Sequence, residues 1–209
     1  MNDLFALPIA SQTMLRREEA HCRRCELYRD ATQVVPGEGS AGAPLMLVGE
    51  QPGDREDLAG KPFVGPAGRI LDRALTEAGI RRGDAFVTNA VKHFKHELRG
   101  KRRLHKRPDA GEIEACRWWL EIERALVKPA VIVAMGATAA RGILGRSVTI
   151  AKARNVTEPL ADGTRVRVTI HPSLVLRLRT EAEKKAEYRR FVADLHEAAR
   201  IAGRAGASG

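Results

Sequence analysis

Cys22-Arg-Arg-Cys25 and Cys116 supply the chain's three cysteines. Two thiols separated by two residues can close around one metal ion or one cluster. The odd count argues against a disulfide framework. A different chemistry is offered by Gly100–Asp109, GKRRLHKRPD, where six of the ten residues can carry positive charge. A basic run is ordinarily a solvated face. This one encloses His105, and a neutral imidazole has a lone pair to give. Other candidates stand singly. Glu50 and Gln51 lie in GEQPG, where a carboxylate can orient a nucleophile or balance a cation. Gly49 and Gly53 of the same motif let backbone N–H groups approach a ligand. Asn89 in TNAVK carries the donor and acceptor needed to read a pyrimidine edge. Phe63 sits in a loop, where its ring needs either a core or a flat ligand. His171 precedes Pro172, which restricts its backbone to extended geometry. Taken one at a time, each is as readily a turn residue or a solvated side chain.

These residues need a frame. Residues 11–20 read as a short helix leading into the cysteine pair. Pro44–Glu50 is an apolar run ending at a glycine, a buried strand. Gly49–Gly68, dense in Gly and Pro, reads as a long loop without a helix. Pro66 opens a helix with Ile70, Leu71, Ala74, Leu75 and Ala78 at helical spacing, stopped at Gly79. Ala85–Val91 is a second strand, and residues 92–108 read as a basic loop. Asp109 caps a helix to about Val127, with Ile113, Cys116, Leu120, Glu123 and Val127 near one face. Pro129–Gly136 is a third strand, followed by a small-residue helix. Val156–Leu160 and Arg165–Ile170 flank a hairpin turn, and an amphipathic helix runs from Glu181 to Ile201. Strands alternating with helices imply a three-layer α/β fold with a mainly parallel sheet. The loops Gly49–Gly53, Asn89–His105 and His171–Ser173 each follow a strand, so this topology gathers them on one rim.

The chain has 209 residues, enough for one α/β domain. One domain is expected over residues 1–202, with residues 203–209 as a disordered tail. Net charge is +10, from 36 Lys and Arg against 26 Asp and Glu. An excess of that size favours a polyanionic partner. It is concentrated in residues 92–107, where Glu97 is the single acid. Aromatic residues are too few for an extended base-stacking platform. No apolar run reaches the roughly 20 residues of a membrane helix. The first 20 residues lack a secretory pattern, and a cytoplasmic monomer is the expectation.

Taken together, GEQPG, GKPFVGPAG, TNAVK and HPS in this order resemble the uracil-DNA glycosylase superfamily, over nearly the whole chain from Cys22. The resemblance implies a three-layer αβα uracil-DNA glycosylase fold. It is strongest to the iron–sulfur glycosylases of family 4, which carry four cysteines around a 4Fe–4S cluster. Cys22, Cys25 and Cys116 match three of those ligands. The remaining family cysteine falls on His93, in NAVKHFK. Two departures stand out: family 4 has GEAPG where this chain has GEQPG, and KRRLH is inserted between Asn89 and Cys116. Both are marks of the UdgX group, whose members end covalently attached to DNA through the histidine of that insertion. Here Leu104 replaces an isoleucine of that group's motif.

The resemblance implies the following roles. Phe63 stacks on a uracil flipped from single-stranded, and also double-stranded, DNA. Asn89 hydrogen-bonds its edge, with further contacts around Gly49, Gln51 and Gly53. His171 donates to the carbonyl that gathers charge. His105 captures the sugar cation, Glu50 holds the imidazole, and Arg103 fixes the loop. Lys101, Arg102, Lys106 and Ser173 contact the DNA backbone. The 4Fe–4S cluster, on Cys22, Cys25, His93 and Cys116, serves as a structural tie. Two rivals remain at this level: a hydrolytic glycosylase with multiple turnover, and a non-catalytic DNA-binding module with a Cys3His zinc site.

Overall fold

The computed structural model describes residues 9–206. The first eight residues and residues 207–209 lie outside the described residues; residues 203–206, expected as part of a disordered tail, instead continue the last helix. A helix α1 (Gln12–Glu19), capped by Ser11, leads to the first cysteines. The chain then forms β1 (Leu45–Gly49), α2 (Asp54–Ala59), α3 (Pro66–Glu77) and β2 (Ala85–Asn89). A hairpin follows, β3 (His96–Arg99) and β4 (Arg102–His105), then α4 (Ala110–Val127), β5 (Val131–Met135) and α5 (Ala137–Leu144). The last elements are α6 (Ile150–Ala153), β6 (Thr157–Pro159), β7 (Arg165–Thr169), α7 (Ser173–Arg177) and α8 (Glu181–Gly206).

The five-stranded sheet has the order β2-β1-β5-β7-β6. β1 pairs in parallel with β2 and β5, and β5 with β7; β6 closes the edge antiparallel to β7. Strand alternation splits the apolar residues between two layers. Leu45, Leu47, Val87, Val131 and Val133 face Leu71 and Leu75 of α3 and Phe191 and Leu195 of α8. Met46, Val48, Phe86, Ile132 and Ala134 face Leu120 of α4 and Ala139 and Ile143 of α5. The three-layer α/β expectation holds. The chain leaves β1 for β2 on one side and reaches β5 on the other. The switch in winding direction therefore lies between the carboxyl ends of β1 and β5, where such folds open a crevice.

Two local readings are corrected. Gly49–Gly68 contains a helix, α2. Gly53 forms its N-cap, Asp54, Glu56 and Asp57 fill its first turn, and Gly60 ends it in a left-handed conformation with φ +67°. Acidic first-turn residues favour a helix start, and glycines at both ends served as caps rather than as breakers. Residues 92–108 are likewise ordered: His96–Arg99 and Arg102–His105 form an antiparallel hairpin with His96 opposite His105. Gly100, with φ +60°, is the first central residue of its two-residue turn. Charge masked the strand pattern there.

Candidate active site

Gly49 and Asn89 are register partners at the carboxyl ends of β1 and β2. A Cβ on Gly49 would fall 2.3 Å from Asn89 Oδ1 and 2.5 Å from Phe63 Cζ. Only glycine lets the amide and the ring converge here. Phe63 holds φ at +55°, rare for a side chain of its size, and is buried. Strain of this kind persists where surrounding structure over-determines it. The surroundings include Gly68, where a Cβ would meet Phe63 O at 1.9 Å. The Phe63 ring lies 5.9 Å from that of His171. Asn89 is anchored from below by buried charge. Lys92 Nζ donates to Asn89 O at 3.0 Å and to Thr88 Oγ1 at 2.5 Å, and pairs with Glu123 Oε2 at 2.6 Å. This explains an acid on the apolar face of α4.

His171 follows β7. Ser173 donates to its Nδ1 from Oγ at 2.8 Å and from the backbone N–H at 3.2 Å. Those two donors assign the ring proton to Nε2. Burial holds the His171 pKa down at about 4, aided by the Arg177 and His105 charges and opposed by Glu50. At neutral pH the ring is an uncharged donor.

His105 ends β4, half-exposed, with Nε2 3.3 Å from Glu50 Oε1. Thr138 Oγ1, in the first turn of α5, donates to Glu50 Oε2 at 2.5 Å. Arg107 Nε lies 3.9 Å from the same oxygen and 3.3 Å from Thr138 Oγ1. Burial acts to raise the Glu50 pKa, but hydrogen bonds with His105 and Thr138 and the neighbouring imidazoles bring it below the usual value. Glu50 is therefore a carboxylate beside His105. All of Glu50, Phe63, Asn89, His105 and His171 line one cleft of about 1000 Å³, together with Gly136, Ile170, Leu174 and Arg177. The three loops do meet on one rim.

The hairpin is held mainly through side chains. Gln51 Nε2 donates to Lys95 O at 3.1 Å and Lys106 O at 3.0 Å, and Gln51 Oε1 accepts from Lys95 N at 3.1 Å. An alanine could make none of these bonds, so the glutamine of GEQPG and the inserted hairpin form one unit. Arg103 donates to Asp54 Oδ1 and Asp57 Oδ2, both at 2.6 Å, and to Thr32 Oγ1 at 3.0 Å. Phe94, buried, stacks on His96 with centroids 5.0 Å apart and supports His105 at 6.2 Å.

Some expected ligand contacts take other roles in this structure. The Gln51 side chain faces the hairpin, although the residue lines the cleft. The Gly53 N–H donates to Glu56 Oε2. Ser173 serves His171. Lys106 pairs with Glu97 at 2.8 Å, while Lys101 and Arg102 are exposed at the hairpin tip. Thr138, Asp54, Asp57 and Arg107 were not singled out from sequence. The acidic run GDREDL beside a basic loop was a signal for the aspartates; Thr138 had none.

Cys22, Cys25 and Cys116 gather in an apolar pocket with Leu15, Leu27, Val34, Val91, Ile113 and Trp119. Trp119 Nε1 donates to Cys22 Sγ at 3.0 Å and Lys92 N to Cys116 Sγ at 3.2 Å. Burial pushes Cys116 up to about 12 and raises Cys25. His93 is buried, which lowers its pKa, with Asp57 the charge acting against that. Among the described residues no three His, Cys, Asp or Glu converge as ligands of a single ion. A cuboidal cluster spreads its ligands wider than one ion does. Three sulfurs in an apolar pocket, two receiving N–H donors, fit such a group.

A family model described as the uracil DNA glycosylase superfamily matches residues 36–196. The type-4 uracil-DNA glycosylase of Thermotoga maritima is 38% identical over 172 residues, covering 82% of this chain and 83% of that protein. Those of Pyrobaculum aerophilum and Archaeoglobus fulgidus are each 37% identical, over 78% and 80% of this chain and 85% of each relative. On these matches, which span the sheet and every loop lining the cleft, the chain belongs to the uracil DNA glycosylase superfamily.

Proposed function

We propose that the protein excises uracil from DNA and that His105 becomes joined to the sugar it exposes. The observation carrying this reading is His105 Nε2 standing 3.3 Å from Glu50 Oε1 at the mouth of a cleft floored by Phe63, Asn89 and His171. Phe63 stacks on the flipped base and Asn89 pairs with its edge. The bond between uracil N1 and sugar C1′ breaks, and its electron pair leaves with uracil. His171 Nε2–H donates to the carbonyl that gains charge, a preorganised donor from a neutral ring. An imidazole lone pair of His105 forms the new bond to C1′, and the ring's other N–H proton passes to solvent. Glu50 orients the ring and balances the positive charge on sugar and imidazole.

Cys22, Cys25, Cys116 and His93 would hold a 4Fe–4S cluster, whose iron–sulfide core ties metal to thiolate. These ligands fasten the α1 segment, the end of β2 and α4 together. The protein acts as a monomer in the cytoplasm, on single-stranded or duplex DNA carrying uracil. Among the described residues no helix is long and apolar enough to cross a membrane.

A denaturing gel tests the reading. Protein mixed with a uracil-containing oligonucleotide should give a band that survives heat and detergent, with about one uracil released per chain. Thymine or cytosine at that position should give none. His105→Ala should abolish the band. Persistence of the band in His105→Ala, or uracil release over many turnovers by the unaltered protein without a band, would overturn covalent capture.

A further inference from the structure

We propose that Thr138 is a positioning residue for Glu50, and that Arg107 sets the direction of its hydroxyl. The proposal rests on the reading that Glu50 and His105 serve the transfer to sugar. Thr138 is buried in the first turn of α5, directly after β5. β5 lies beside β1, with Val48 opposite Ala134, so the hydroxyl meets the carboxylate across the point where winding reverses. A hydroxyl has one proton to donate, whereas a guanidinium can only donate. Arg107 Nε, 3.3 Å from Thr138 Oγ1, therefore occupies an acceptor site on that oxygen. The hydroxyl proton is left for Glu50 Oε2, at 2.5 Å. With Oε2 fixed, Oε1 is the oxygen presented to His105 Nε2.

The alternative arrangement is close by. The terminal torsion of a glutamate is broad, and Arg107 Nε already stands 3.9 Å from Oε2. Without the Thr138 hydroxyl, Arg107 would draw the carboxylate toward the mouth of the cleft and away from the imidazole. The charged or titratable groups facing Glu50 are His105 on β4, Arg107 beyond it and His171 after β7, with Thr138 facing it from α5. Removing the hydroxyl deletes one interaction that favours the carboxylate. The acid limb of the rate should then move to higher pH.

The test is single-turnover kinetics with excess protein and a labelled single-stranded oligonucleotide bearing one uracil. Both adduct and free uracil are measured. Thr138→Val should lower the maximal rate roughly tenfold or more, from loss of one hydrogen bond to a charged group. Its half-saturating concentration should stay within about threefold, since no DNA contact is removed. Thr138→Ser, which keeps the hydroxyl, should recover most of the rate and the original acid limb. In a Glu50→Ala background, Thr138→Val should change nothing further. Thermal unfolding checks each variant, and Thr138→Ala replaces the valine variant if that one does not fold. A valine variant with unaltered rate and pH profile, or an effect that persists without Glu50, would overturn the proposal. If the unaltered protein releases uracil without an adduct, covalent capture fails instead. The Thr138 comparison is then read from uracil release by the same criteria.

Discussion

The floor of the cleft and the hairpin at its mouth are built on opposite principles. Asn89 and Phe63 are buried at the rim of a five-stranded sheet. Their positions follow from Gly49, from the register of β1 and β2, and from a buried Lys92–Glu123 pair. The β3–β4 hairpin forms its own two-stranded sheet, apart from the main one. Two strands alone are marginal in water. What orders this pair is Gln51, Arg103 and the ring of Phe94. Under the proposed function the contrast separates two tasks. Reading a base would need a rigid, dry surface, and that comes with the fold. Placing His105 as a nucleophile would need an arm whose position can be set independently, and a few polar anchors suffice.

The largest effect should come from the floor. His171→Ala removes the proposed donor to the departing base and should slow both uracil release and adduct formation about 10²- to 10³-fold, as loss of one preorganised donor does elsewhere. Parallel loss of both products is the signature of a floor residue. If adduct formation falls while uracil release continues, His171 belongs functionally with the hairpin and the division fails.

Arg103→Ala attacks the arm. It leaves Asp57, fully buried, with the Thr32 N–H as its remaining hydrogen-bond donor among the described residues. Removing one member of a buried pair costs up to about 3–5 kcal/mol; Arg103 is partly solvated, so the loss should fall below that range. Adduct formation should drop roughly tenfold or more while uracil release persists. Amide exchange should quicken in β3 and β4 and stay slow in β1 and β2. Uniform acceleration across both sheets would mean that the anchor supports the whole domain.

A third test concerns what ties the floor to α1 and α4. Protein prepared without air should be brown, with about four irons and acid-labile sulfide per chain on the family pattern. His93→Ala should lose iron more readily than His96→Ala. Equal losses would remove His93 from the ligand set, and stoichiometric zinc without sulfide would replace the cluster altogether.

The sheet was legible because its strands are short apolar runs bounded by Gly and Pro, and because Asp109, Pro66 and Gly79 punctuate helices by local chemistry. Membership was legible through motifs: GEQPG, TNAVK and HPS lie at the carboxyl ends of strands, and their residues line the cleft. The hairpin was hidden because six positive positions obscured its alternation, and α2 because glycines that cap a helix look like glycines that break one. The anchors were less visible still. Gln51 reaches residues 95 and 106, and Arg103 reaches residues 32, 54 and 57; nothing local announces such partners. Thr138 in ATAARG resembles any small helical residue until β1 and β5 are placed side by side.

A last effect is expected on stability against pH, and it belongs to the floor. His171 is held at about 4 by burial, while an unfolded histidine titrates near ~6.5. Above that value neither state binds the proton. As pH falls from about 6.5 toward 4 the unfolded chain takes it up and the folded protein does not, so folding is progressively disfavoured. His171 therefore contributes a loss of stability across this window. Glu50, with its pKa lowered in the folded protein, acts in the same direction at the acid end, because its carboxylate must be protonated there. His171→Gln removes the imidazole and should flatten the fall between pH 6.5 and 4, by on the order of 3 kcal/mol at its lower end. Melting temperatures of both proteins over that range give the comparison. Parallel curves would show that the His171 ring takes up its proton in the folded state as freely as in the unfolded one. In that case a sizeable fraction of His171 would be imidazolium near neutral pH, and burial alone would not keep the floor's donor neutral.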